Sequence, residues 1–395
     1  MAYRQMTARS RQEAHRAATP LELFFDLCFV VAVAQAGRQL VHALAEGHPG
    51  SGITGYLFVF FGVWWAWMNF TWFASAYDVD DVPYRVMTLV QIAGVLVYSA
   101  GIPRAFDDGD WTVAVVGYVL MRLALTVEWL RAARGEQGAA RSCALKYAAG
   151  LLVCQVGWVA LLAAPDSAKQ WLFLVLVLAE LSVPMIAERS HQTPWHPHHI
   201  AERYGLFTII VLGETIAAAT VGVQSALDEH EELSTLLPIA AGGLLLVYAA
   251  WWIYFAVPAH ERLTSNREAI PWGYGHYVIL GSAAAIGAGI EVVVEQAVGK
   301  AHVSTTAANA AVTIPVALFL LSVWLLHSRH FKRGAAQQLV LPLTAMAILA
   351  CTFTGSRAVL WAGLVAALAV AVGVVLSERV PPASAGPVPE PVREG

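Results

Sequence analysis

Apolar residues run through this chain in blocks of roughly 18–23, each long enough to cross the ~30 Å hydrocarbon core of a bilayer as an α-helix. Twelve blocks are predicted, at about 21–42, 53–76, 83–103, 111–133, 143–163, 170–188, 202–223, 236–257, 272–294, 305–328, 338–354 and 357–377. The eleventh is short and tightly joined to the twelfth. The pattern predicts an all-α polytopic membrane protein. Residues 1–18 read as a polar, basic segment without the features of a cleavable signal. Residues 380–395, rich in Pro, Ala and Glu, read as a disordered tail.

Charge placement tests the same topology. With the N-terminus in the cytoplasm, 18 of the 24 Lys and Arg residues fall at the inner face, four outside, and Arg38 and Arg122 within spans. That alternation is the positive-inside pattern, and a miscounted helix would scramble it. Composition agrees: 58% of residues are hydrophobic, 13% are charged, and mean hydropathy is +0.59. Soluble domains carry about 25% charged residues. A soluble globular protein is excluded. The net charge of −4 and the lack of a basic stripe give no reason to expect a nucleic-acid partner. Four cysteines in or beside spans, with no CxxC, read as buried thiols.

The second half of the chain echoes the first. Glu22 and Glu202 each open a span, separated by 180 residues; Trp64-Trp65 and Trp251-Trp252 lie 187 apart; Pro83 and Pro271 begin spans three and nine. Two six-helix halves are expected, 19–188 and 202–379, joined by a cytoplasmic linker at 189–201. An even number of spans per half gives both the same orientation, related by a pseudo-twofold axis along the membrane normal.

Ionisable residues at membrane depth are costly and mark candidate sites. Glu22 and Asp26 lie one turn apart on one face of span one. Span seven begins with Glu202-Arg203 and carries Glu214 deeper, on the Arg203 face and about 16 Å away. Glu22, Asp26 and Glu202 are the candidate general acids and bases. The loop after span two holds Asp78, Asp80 and Asp81, a density suited to Mg²⁺, or to a solvated cap of span three. Arg85 and Arg203 could neutralise phosphate oxygens. Trp65, Asn69 and Trp72 share a face of span two that suits an apolar chain or a cation held by ring quadrupoles. His199 and Glu214 complete the candidate substrate-binding set. The segment His196-Pro197-His198-His199 lacks zinc-ligand spacing, and no nucleotide or hydrolase fingerprint occurs.

Three of these stretches carry a family likeness: Glu22-Leu-Phe-Phe-Asp26-Leu, Tyr77-Asp78-Val-Asp80-Asp81-Val-Pro83-Tyr-Arg85, and His199-Ile-Ala-Glu202-Arg203 through Gly213-Glu214. With the hydrophobic pattern they resemble the low temperature requirement A family of bacterial membrane proteins over roughly residues 19–377. The resemblance implies a multi-pass protein of the bacterial cytoplasmic membrane and leaves its reaction open. Three functions fit. One is an intramembrane enzyme acting on a lipid or isoprenyl diphosphate at a cytosolic, Mg²⁺-binding acidic cavity. The alternative is a secondary transporter with a coupling carboxylate such as Glu214. A membrane scaffold or sensor in cold adaptation is the third. The one-sided position of the acids favours the enzyme.

Overall fold

The computed structural model describes residues 3–11, 13, 16–228, 233–332 and 334–378; the expected tail at 380–395 lies outside the described residues. The chain forms α1 (Pro20–Ala45), α2 (Pro49–Tyr77), α3 (Val82–Asp107), α4 (Thr112–Gly135), α5 (Gly138–Leu162) and α6 (Asp166–Ala187). There follow α7 (Pro197–Asp228), α8 (Leu233–Phe255), α9 (Asn266–Ala297), α10 (Thr305–Val323), α11 (Ala335–Cys351) and α12 (Ala358–Glu378). A π turn, Trp324–Ser328, prolongs α10 into Arg329–Phe331. No strand occurs among the described residues. Ten helical segments there are long and apolar enough to cross a membrane, and α11 is a shorter apolar helix, as the eleventh block predicts. The protein is an all-α multi-pass membrane protein.

Local sequence sets the helix starts. Thr19 and Glu22 form a capping box: Glu22 N donates to Thr19 Oγ1 at 3.3 Å, and Thr19 N donates to Glu22 Oε2 at 2.8 Å. Pro20 sits at the first helical position, where its missing N–H costs nothing. Asp81 caps α3 by accepting from Tyr84 N at 2.9 Å, which realises its expected capping role.

Contacts between loops fix which ends lie together. At one end Arg9 N donates to Ala76 O, His196 N to Ser75 Oγ and Trp195 Nε1 to Asn266 Oδ1. At the other, His302 N donates to Ala45 O at 2.7 Å. The first is called the basic end below, for the arginines gathered there.

Without a hydrophobic drive between helices in lipid, close backbone approach through small residues does much of the work. A Cβ on Gly101 of α3 would fall onto the backbone of Ala114 in α4. One on Gly289 of α9 would fall onto the backbone of Ala311 in α10. These glycines are 188 residues apart. Packing also recurs: α1 lies on α3 as α7 lies on α9, and α5 on α6 as α11 on α12. The Trp-Trp helices break the pattern. Trp64 and Trp65 are buried within α2, whereas Trp251 and Trp252 of α8 are 47% and 49% exposed on the bundle's outer surface. The reason is position: α2 runs through the interior between α1, α4, α7 and α9, and α8 packs at the edge against α12.

Candidate functional site

Two of the buried ionic centres among the described residues bear on a site. The first ties α1 to α7. Arg203 donates from Nε to Asp26 Oδ2 at 3.1 Å and from Nη2 to Asp26 Oδ1 at 2.6 Å, while its Nη1 lies 2.9 Å from Glu22 Oε1. His199 Nε2 is 3.1 Å from the same Glu22 oxygen, and Trp67 Nε1 donates to Asp26 Oδ1 at 2.7 Å. Arg16 approaches Glu22 at 3.8 Å and caps the end of α2, donating to Ala74 O at 2.7 Å and to Ser75 O. Both carboxylates, His199 and Arg203 are fully buried. Each acid here has a cation, which is the condition for holding charge away from water. Glu202 is not in this centre: it lies partly exposed on another side of α7, its Oε2 4.0 Å from His198 Nδ1.

The aspartates of the α2–α3 loop part company. Asp80, at φ +45°, turns outward, and its carboxylate takes both Nε and Nη2 of Arg85, at 2.7 and 2.9 Å. Asp81 points inward to Arg131, whose Nη2 donates at 3.0 and 2.8 Å, and Arg131 also holds Glu128. Asp78 lies 3.8 Å from Arg16 and from Arg9. Burial and the nearby Glu22 charge push the Asp78 carboxyl up to about 6. The forked bond from Arg85 holds Asp80 below the usual range. Burial works against Asp81, but donors from Arg4 N, Tyr84 N and Arg131 outweigh it and its value falls. Three aspartates thus meet three different sets of arginines. Among the described residues no three His, Cys, Asp or Glu groups are placed to hold a metal ion.

The second centre lies inside the first half, around α2. Glu180 of α6 is 0% exposed and collects donors from every side: Arg122 Nη2 at 2.7 Å, Trp65 Nε1 at 3.0 Å, Tyr118 Oη at 3.1 Å, Trp158 Nε1 at 3.2 Å and Gln155 Nε2 at 3.3 Å. Arg122 Nη2 also reaches Asn69 Oδ1 at 3.4 Å, but its Nε and Nη1 have no partner.

Cavities line up on both sides of this pair. At the end opposite the basic one opens a vestibule of about 1120 Å³. Its charged lining is mostly acidic: Glu46, Asp107, Asp108, Asp110 and Asp166 against Lys169. Phe58, Trp111 and Phe173 form its floor and also belong to a neck of about 20 Å³, which Tyr118 and Trp158 close on the Glu180 side. Beyond the pair, Asn69 opens onto a chamber of about 30 Å³ with Trp72, Trp129, Tyr147, Tyr274 and Glu188 in its wall. Vestibule, neck, ion pair and chamber follow one another along α2.

Residues 17–376 match the profile of the bacterial low temperature requirement A proteins, LtrA. The chain belongs to this family. It is also 28% identical over 277 residues to an uncharacterized protein of Rhizobium meliloti. That match takes in 66% of this chain and 65% of the relative's length.

For this LtrA protein, then, the residues expected to form one site divide among several places. Glu22, Asp26, His199 and Arg203 meet in the first centre. Trp65 and Asn69 join the second, whereas Trp72 stands in the wall of the chamber beyond it, its Nε1 donating to Tyr204 Oη at 3.0 Å. Glu214 stands apart in a cavity of about 150 Å³ with Arg38 and Glu291. The charge pattern puts Arg122 within a span and pairs it with nothing, and Glu180 lies in the sixth apolar block. Their signal is the rarity of ionisable groups at membrane depth, and nothing in the spacing of 58 residues says that they touch.

Proposed function

We propose that this LtrA family member is a transport protein that carries a small organic cation, of ammonium or guanidinium type, through its first six-helix half. The observation that carries the proposal is the order of features along α2. An acidic vestibule concentrates cations at its mouth. A neck of aromatic rings offers quadrupoles to a cation stripped of water. Glu180 then supplies a buried counter-charge, and the chamber beyond is again aromatic with one acid, Glu188. Arg122 acts as a tethered cation that occupies Glu180 between turnovers. Moving toward Asn69, which its Nη2 already reaches, Arg122 yields Glu180 to the incoming cation, and its unpartnered Nε and Nη1 have no bond to lose. In this reading the basic end faces the cytoplasm by the positive-inside rule. The recurrent helix pairings support two similarly oriented halves, and the path lies beside the second helix of the first.

The enzyme reading has less behind it. It asks Asp78, Asp80 and Asp81 to share a Mg²⁺ ion, and each is turned toward a different arginine. The test is uptake of radiolabelled guanidinium and tetramethylammonium into proteoliposomes at neutral pH, where the first stays protonated and the second has no proton to lose, so neither leaks as a neutral base. Uptake above that of protein-free vesicles, lost in Glu180→Gln, is expected. Rates equal to protein-free vesicles for both probes would overturn the proposal.

A further inference from the structure

A further cavity, of about 660 Å³, lies at the basic end of the second half, away from the path beside α2. It is formed where the 3₁₀ turn Ala259–Arg262 leads into α9 and where α10 ends after its π turn. Its polar wall is rich in donors, from Arg262, Arg267, Arg329 and the indole of Trp272, with His330 accepting from Arg329 Nε at 3.1 Å. The rest is apolar, from Leu263, Pro271, Leu325 and Leu326.

We propose that this cavity binds a phosphate group, presented by an anionic phospholipid of the adjoining leaflet. Three facts converge. First, no carboxylate among the described residues forms an ion pair with Arg262, Arg267 or Arg329, although arginines elsewhere at this end are paired. Glu268 also lines the cavity, but its Oε2 is taken by Thr264, from Oγ1 at 2.5 Å and from N at 3.3 Å. Three guanidinium groups against one engaged carboxylate leave the wall positive. Second, two donors of this wall are buried without an acceptor. Trp272 is only 4% exposed and its Nε1 has no partner; neither has the buried Nη1 of Arg262. Buried donors without acceptors are rare and costly, so their presence in one cavity points to an acceptor that completes it. Third, the shape suits an amphiphile. Guanidinium groups match phosphate oxygens with forked, charge-assisted bonds. The leucines and Pro271 provide the apolar continuation that glycerol and acyl carbons need, and the volume is larger than a free phosphate requires. Basic pockets between helices on the cytoplasmic side are a recurrent form of headgroup site.

The experiment uses the full chain in detergent, titrated with phosphatidylglycerol or phosphatidylcholine under native mass spectrometry, and with inorganic phosphate followed by thermal shift. Wild type should retain phosphatidylglycerol over phosphatidylcholine. Arg262→Gln/Arg329→Gln should bind it about tenfold more weakly or less, while Arg141→Gln, on an exposed helix start elsewhere, should bind as wild type does. If inorganic phosphate also stabilises wild type and not the double variant, the phosphate group alone suffices. If only the lipid binds, its apolar part is required. Either result supports the site. Should the double glutamine protein fail to fold, Arg262→Lys/Arg329→Lys keeps the charge and loses the fork, and is expected to bind about tenfold more weakly than wild type. Equal binding of the two lipids by wild type, or wild-type affinity in the folded double variant, overturns the proposal.

Discussion

Arg203 on α7 grips Asp26 on α1 through both Nε and Nη2, at 3.1 and 2.6 Å, in a site that water does not reach. The two residues are 177 apart in sequence and belong to different halves, so this contact pins the halves together at the basic end. Taking away one partner strands the other in a dry site, a loss that typically costs about 3–5 kcal/mol. Asp26→Asn should therefore lower the unfolding temperature markedly. Arg203→Lys should do so too, because a lysine cannot serve Asp26 with a fork while reaching Glu22. Asp80→Asn, whose carboxylate is half exposed beside Arg85, should change little. The check is intrinsic tryptophan fluorescence on heating in detergent. Equal melting of all three variants would remove the interface role.

Asp78 predicts an unusual pH dependence. Burial, and then the charge of Glu22, lift its carboxyl from 3.8 to about 6, despite Arg16 and Arg9 nearby. A carboxyl raised in the folded state opposes folding once it ionises. The penalty is absent below about pH 4, grows as pH rises toward 6, and is complete above that, at about 3 kcal/mol. Asp78→Asn should accordingly melt higher than wild type at pH 7.5, with the gap closing as pH falls toward 4. Other titrating groups are common to both proteins and cancel. A gap independent of pH would show that the side chain acts by shape alone.

How much of this was legible in the sequence depends on whether one period or a long-range contact sets the feature. The helices follow from apolar blocks, and the shared face of Glu22 and Asp26 follows from a four-residue spacing. Glu202 and Arg203 show the limit. Neighbours on a helix lie about 100° apart. Only Arg203 faces the acids, and one sequence does not say which neighbour does. The loop aspartates fail to cluster for a similar reason: the left-handed backbone at Asp80 sends successive side chains apart. Trp64-Trp65 and Trp251-Trp252 look equivalent as strings but not as positions, because burial is decided by what surrounds α2 and α8. Arg122 with Glu180 is purely tertiary.

Two glycines at close helix approaches give a test of the repeat. A methyl group at Gly101 or Gly289 would collide with the backbone of the partner helix, Ala114 or Ala311, where no rotamer change can relieve it. Overpacking of this kind typically costs about 1–3 kcal/mol. Gly373 of α12 has open space around its would-be Cβ, so alanine there should be neutral or gain helix stability. Comparable destabilisation by Gly101→Ala and Gly289→Ala, with none from Gly373→Ala, would support equivalent α3–α4 and α9–α10 pairs. Tolerance at Gly289 alone would break the equivalence.

The neck above Glu180 is where transport should be limited by size. Phe173 closes it, stacked on Phe58 with ring centroids 4.0 Å apart and set edge-on to Trp158 at 4.9 Å. Phe173→Ala removes a ring from a constriction of about 20 Å³ and leaves every donor to Glu180 in the chain. It should raise uptake of tetramethylammonium more than that of the flat guanidinium ion, since the wider cation gains more from the added width. Phe173→Leu, which retains most of the bulk, should lie between that variant and wild type. Phe→Ala changes in packed interiors typically cost about 3–5 kcal/mol, so retention of a monodisperse elution profile has to accompany the flux data. An unchanged ratio of the two probes in a well-folded Phe173→Ala protein would mean that solute does not pass this neck, and the path beside α2 would have to be abandoned.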